Sequence, residues 1–257
     1  MAAVSPVLGV LISRAQGDRV DISTDVSTDN WLRIWRLVLD GNVDIATRSD
    51  QQIDDLFDIG KAAMYLQIQI IVEIVEGRLL RELTSFTCVR LLVGSMGSGM
   101  LGVEKAARSL ALDDFGEIST TDDFKRLPYE LLISLISDGA LQAIEEEVVL
   151  GAVNSWIEYQ AHVDTDTIAH LFANLRMPRM DPTTVAKLAA RSDLQATPSV
   201  MGMIRETALF HYLPEDMKGL VPLDALLPRA FDARRGVGLV ASVSSKRIEK
   251  QETLEAG

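Results

Sequence analysis

The stretch Leu127–Gln160, LPYELLISLISDGALQAIEEEVVLGAVNSWIEYQ, constrains the fold more than any other part of the chain. It reads as two short amphipathic helices in succession. Pro128 stands where a first-turn proline is tolerated, because the N–H it lacks has no helical partner there. Leu131, Leu132, Leu135 and Ile136 then recur on one face, and Ser137-Asp138-Gly139 ends the run. Glu145-Glu146-Glu147 opens the second helix at the positive end of its macrodipole, and Val148, Val149, Ala152, Val153, Trp156 and Ile157 supply its apolar face. Two apolar stripes this close together require other helices to cover them. The spacing therefore predicts a layered, mainly α fold.

The same pattern recurs along the chain. Helices are expected from Ser5-Pro6 to about residue 15, and from a Ser27 or Thr28 cap through Trp31 and Trp35 to Asp40-Gly41-Asn42. Residues 53–60 and 61–67 read as a helix pair or one broken helix, and 70–83 as a longer one. Further helices are expected over 84–93, 101–115, 165–175, 183–191 and 199–212. Val20–Ser23 and Gly238–Ser242 are compatible with single strands, and Pro214, Pro222 and Pro228 break the pattern toward a charged end.

Composition excludes several functions. A net charge of −12 speaks against a duplex nucleic-acid surface and against docking on anionic lipid. No stretch approaches about 18 uninterrupted apolar residues, so no membrane span is expected. The single cysteine, Cys88, rules out an internal disulfide framework and a cysteine-based zinc site. Its position at an apolar helix start favours packing over reactivity. The N-terminus lacks the basic residues of a signal peptide, and the expected compartment is the cytoplasm, with the nucleus second. His162, His170 and His211 have neither HExxH-type nor Cys-His spacing. Gly94–Gly99 follows a helix rather than a strand and lacks the Gly-Lys-Ser/Thr of a phosphate loop, so it reads as a helix–helix turn. Three consecutive acids point about 100° apart on a helix, so Glu145–Glu147 cannot converge on one ion and is expected to be a solvated first turn. No catalytic, cofactor or metal residue is expected.

Seven segments in order carry a resemblance. They are Leu39-Asp40-Gly41-Asn42-Val43-Asp44-Ile45, Ala62-Ala63-Met64-Tyr65-Leu66-Gln67-Ile68, Thr87-Cys88, Phe124-Lys125-Arg126-Leu127-Pro128, Glu145 to Trp156, Leu175-Arg176-Met177-Pro178, and the opening Ala2-Ala3-Val4-Ser5-Pro6. Together they resemble the BTB–BACK portion of the kelch-like family, substrate adaptors of cullin-type ubiquitin ligases, over about residues 2–216. The resemblance implies a partial BTB/POZ domain at 1–83, a helical BACK domain of stacked helix pairs at 84–213, and a linker or the start of a kelch repeat at 214–257. It implies a non-catalytic adaptor whose partner is the N-terminal domain of a type-three cullin. Tyr65, Gln67, Leu91 and Met96 mark the neighbourhood of that contact. It names no substrate.

This sequence departs from the family pattern in four places. The opening BTB segment that carries the family's homodimer contact is not found, which leaves dimerisation open. Ala15-Gln16-Gly17-Asp18 stands where the cullin-facing hydrophobic–x–glutamate is expected. The six kelch repeats are absent, and the chain reads as truncated. Ile144 replaces a serine expected to cap a helix, at a cost of about 1 kcal/mol. These departures motivate an alternative: a truncated regulator or cytoskeleton-associated scaffold of the same descent that no longer binds cullin.

Overall fold

The computed structural model describes residues 5–14, 27–40 and 49–221. Among them all regular structure is helical. In order these are α1 (Pro6–Arg14), α2 (Thr28–Asp40), α3 (Ser49–Tyr65), α4 (Gln69–Arg81), α5 (Cys88–Ser95), α6 (Leu101–Asp113), α7 (Phe115–Ile118), α8 (Asp122–Lys125), α9 (Tyr129–Ile136), α10 (Glu146–Tyr159), α11 (Thr165–Ala173), α12 (Pro182–Ala189) and α13 (Pro198–Tyr212). Short 3-10 turns occupy Met177–Arg179, Leu194–Ala196 and Glu215–Leu220. The two short strands considered at 20–23 and 238–242 lie outside the described residues, as does the turn at 41–45. The chain forms two compact units, Met1–Ser109 and Leu110–Gly257, and the division falls inside α6.

The N-terminal unit is built on α3 and α4, with α2 and α5 against α3. Ile53, Leu56, Phe57, Ile59 and Ala63 of α3 are buried, as are Ile71, Val72, Val75 and Leu79 of α4. α3 is a single helix, not the pair or broken helix its sequence left open. Gly60 sits in its middle because a Cβ there would lie 2.0 Å from the Met100 Cε. A glycine costs an interior helix position roughly 1 kcal/mol relative to alanine, and here it admits a packed methionine in return. Gly94 does the same for Phe57, whose ring would meet a Cβ at 2.4 Å.

In α1 the apolar run is not wholly inside, since Val10 is 48% exposed. The buried Ser5 donates its hydroxyl to the Leu66 carbonyl. In α2 the core residues are Ile34 and Leu37, while Trp35 is 38% and Leu32 49% exposed. Ser27 caps this helix as expected, accepting the Asn30 N–H at 3.2 Å.

The C-terminal unit holds the helix pair α9 and α10. Leu131, Leu132, Leu135 and Ile136 of α9 and Val149, Ala152, Val153 and Trp156 of α10 are all buried. The Trp156 indole donates to the Leu127 carbonyl at 2.9 Å, satisfying the polar edge of a ring that is otherwise packed. Phe115 and Phe124 meet edge-on at 5.6 Å between centroids. α13 packs against α11 and α12 and closes the unit.

Side-chain caps start three helices here. Thr121 accepts the Phe124 N–H of α8 at 3.3 Å. Asp164 accepts the Thr167 N–H of α11 at 2.8 Å, and Asp181 the Thr183 N–H of α12 at 2.7 Å. Hydrogen bonds from Thr167, chiefly its N–H, and from Thr183, chiefly its hydroxyl, hold Asp164 and Asp181 below the ordinary carboxylate value.

Candidate partner-binding surface

The expected surface lies where α3 ends and α5 turns into α6. Helix α3 stops at Tyr65, and the chain reverses through Gln67, whose φ of 55° is the only left-handed non-glycine conformation among the described residues. Ile68, fully buried, anchors the start of α4. Beyond α5, Gly97 and Gly99 adopt φ of 66° and 77°, the left-handed values that glycine takes without a Cβ penalty. This is the helix–helix turn expected of that glycine run. The Met64 side chain lies across Gly99, so close that a Cβ there would meet its Cε at 2.3 Å. The end of α3 and the α5–α6 turn are thereby held side by side.

Around this junction large apolar side chains face solvent. Tyr65 is 58% exposed, Met96 45% and Leu101 71%, and Gln67 is exposed between them in sequence. Beneath them Leu66, Met100 and Val103 are buried, so the exposed side chains stand on a packed base. Three of the four residues singled out from the sequence therefore lie on this surface. Leu91 does not. It is fully buried with its neighbour Leu92, while Val93 is half-exposed, so the face of α5 that carries Leu91 belongs to the core. Sequence reasoning also missed Leu101, whose exposure follows from its place at the first turn of α6.

Cys88 is buried, and its Sγ is 3.1 Å from the Ala107 carbonyl that accepts from it. This is the packing role expected of it. The histidines do not come together as ligands. His162 and His170 are exposed; His170 Nδ1 meets the Tyr129 hydroxyl, and His211 stacks edge-on with Phe210 at 6.0 Å. Burial, followed by the Asp164 and Glu130 carboxylates, raises the Tyr129 phenol above its ordinary range. Among the described residues no group of three or more His, Cys, Asp or Glu side chains is placed to hold a metal ion, and no helix is long and apolar enough to cross a membrane.

The triple carboxylate is a correction. Glu146 is only 5% exposed and accepts the backbone N–H of the fully buried Arg176 at 2.9 Å. Glu147 accepts the Asp181 N–H at 2.6 Å. Two of the three acids thus tie the segment around Met177–Arg179 to the first turn of α10, and they are not a purely solvated turn. A second correction concerns the cap. Glu145, in extended conformation, precedes α10 and makes no side-chain cap bond, so Ile144 stands one residue before the capping position.

Comparison with known proteins agrees with this architecture. Residues 88–190 match the family described as BACK, BTB And C-terminal Kelch. Kelch-like protein 1 of Mus musculus is 24% identical over 162 residues, which cover 63% of this chain and 22% of that protein. Kelch-like protein 13 of Homo sapiens is 26% identical over 165 residues, 63% of this chain and 25% of the relative. For Kelch-like protein 17 of Homo sapiens the identity is 27% over 126 residues, or 49% and 20%. The chain therefore spans about a quarter or less of the curated relatives it matches. Residues 88–190 thus match the BACK family in a stretch whose regular structure is all helical, and over about half to two thirds of its length the chain is similar to kelch-like proteins.

Proposed function

We propose that the chain is a non-catalytic protein–protein adaptor, and that its partner is the N-terminal domain of a type-three cullin. In this reading residues 1–83 correspond to part of a BTB/POZ domain, 84–213 to the BACK domain and 214–257 to a linker or the start of a kelch repeat. It acts in the cytoplasm, with the nucleus second. The observation that supports it most directly is the exposed surface at Tyr65, Gln67, Met96 and Leu101 over a buried base. Aromatic and methionine side chains are what protein interfaces use as anchors, and the partner is proposed from the resemblance to the kelch-like proteins.

Calorimetric titration with that cullin domain tests the proposal. Binding in the micromolar range or tighter, weakened about tenfold or more by Tyr65→Ala combined with Met96→Ala, supports it. Absence of heat at about 100 µM, a ceiling near −5.5 kcal/mol, rejects it. The departure at Ala15–Asp18 favours one second reading, a regulator or cytoskeletal scaffold of the same descent that has lost the cullin contact. The same titration separates the two.

A further inference from the structure

A second surface lies in the C-terminal unit and owes nothing to the first. A groove of about 450 Å³ opens between the end of α6, α7 and the start of α10. Its apolar wall is Ala143, Ile144 and Val148, and its rim carries Asp113, Asp114 and Glu117. Ile144 is 79% exposed, more than any other large aliphatic side chain among the described residues.

That exposure is not required by the helix. A hydrophobic residue before the capping position ordinarily folds back onto the residue four into the helix. Here that residue, Val149, is already fully buried, so Ile144 is left over the groove. A polar residue in its place would be soluble, and serine or threonine beside a helix start would be favourable. Nothing in the fold of the unit calls for isoleucine at this point.

The rim fixes the charge of an occupant. Asp113 accepts the Gln142 side-chain amide at 2.7 Å, and the Gln142 N–H bonds to the Leu112 carbonyl at 2.8 Å, which holds the groove wall in place. Among the described residues neither Asp114 nor Glu117 pairs with a lysine or arginine. An apolar wall with unpaired carboxylates along one edge complements a segment of opposite pattern. We propose that this groove binds a short basic–apolar segment of a partner protein, with an aliphatic side chain against Ile144 and Val148 and lysine or arginine beside Asp114 and Glu117. Apolar contact supplies the affinity, and the carboxylates set orientation and reject acidic segments.

The test uses the full chain and a fluorescein-labelled peptide, Lys-Arg-Ile-Leu-Lys-Arg, followed by anisotropy at physiological ionic strength. Saturable binding is expected, weakened about tenfold or more by Ile144→Ser, and by Asp114→Asn combined with Glu117→Gln. A peptide with two glycines replacing Ile-Leu should weaken to the same extent. Both variants change exposed positions, and an unchanged circular dichroism spectrum confirms that they fold. Lack of saturable binding overturns the proposal. So does equal binding by wild type and Ile144→Ser, which would show only attraction of a cationic peptide to an acidic protein. A third result also overturns it: charge reversal at Lys246 and Arg247 that strengthens peptide binding about tenfold, which would make the occupant this chain's own C-terminal residues.

Discussion

The two units use their apolar residues differently. In the N-terminal unit Leu32, Trp35, Tyr65, Ile70, Phe86, Met96 and Leu101 are exposed over a packed base. The C-terminal unit exposes fewer large apolar side chains, Ile144, Tyr159, Leu209, Tyr212 and Met217, and begins three of its helices with Thr121, Asp164 and Asp181 side-chain caps. Its buried backbone is tied across about thirty residues by Glu146 and Glu147. In the N-terminal unit α2 has the Ser27 cap, while α4 and α5 start without side-chain caps, as do α7, α9, α10 and α13 of the C-terminal unit. Apart from the groove at Ile144 and a few surface side chains, one unit is finished by its own contacts. The other presents side chains whose burial would come from a partner, and such apolar patches are what interaction surfaces expose.

The contrast can be broken most decisively in the C-terminal core. Phe172 is fully buried in α11, so Phe172→Ala should destabilise by about 3–5 kcal/mol in urea unfolding. A loss under about 1 kcal/mol would mean that the packing there is loose. Next in size, Glu146→Ala removes the acceptor of the buried Arg176 N–H and should cost about 1–3 kcal/mol. Glu146→Gln keeps an acceptor oxygen and should lose clearly less; equal losses would show that shape rather than the hydrogen bond matters.

Thr121→Ala should remove about 1 kcal/mol by uncapping α8. Acid titration sharpens the same point. Asp164 and Asp181 have folded-state values below 3.8, so the stability they contribute is present above that value and is lost as pH falls through the folded values. Replacing both with asparagine should flatten the fall in stability below about pH 4; an unchanged acid limb would count against the caps. The smallest effect belongs to the N-terminal surface. Tyr65→Ala with Met96→Ala should alter stability by no more than about 0.5 kcal/mol per site. A larger loss would make these side chains part of the unit's own structure and erase the contrast.

Local patterns were legible in the sequence. The faces of α9 and α10, the Ser27 cap, the glycine turn after α5 and the packed Cys88 all follow from residues within one or two helical turns. What was not legible depended on distant partners. The close packing of Gly60 within α3 involves Met100, forty residues on. The burial of Glu146 requires an amide thirty residues away, and no local rule distinguishes it from Glu145 beside it. Leu91 shares the sequence neighbourhood of the exposed surface but not its face. Which side of α5 faces inward was set by its packing against α3, and a neighbourhood does not resolve a helical face.

The bonds from Glu146 and Glu147 to the amides of Arg176 and Asp181 also supply two native reporters. Those N–H groups flank the 3-10 turn at Met177–Arg179, where helical protection does not reach. Their hydrogen-exchange rates therefore record whether that turn remains seated on α10, at two separate resonances. A ligand or substitution that lifts the turn while leaving every helix intact would be silent in far-ultraviolet dichroism and visible there.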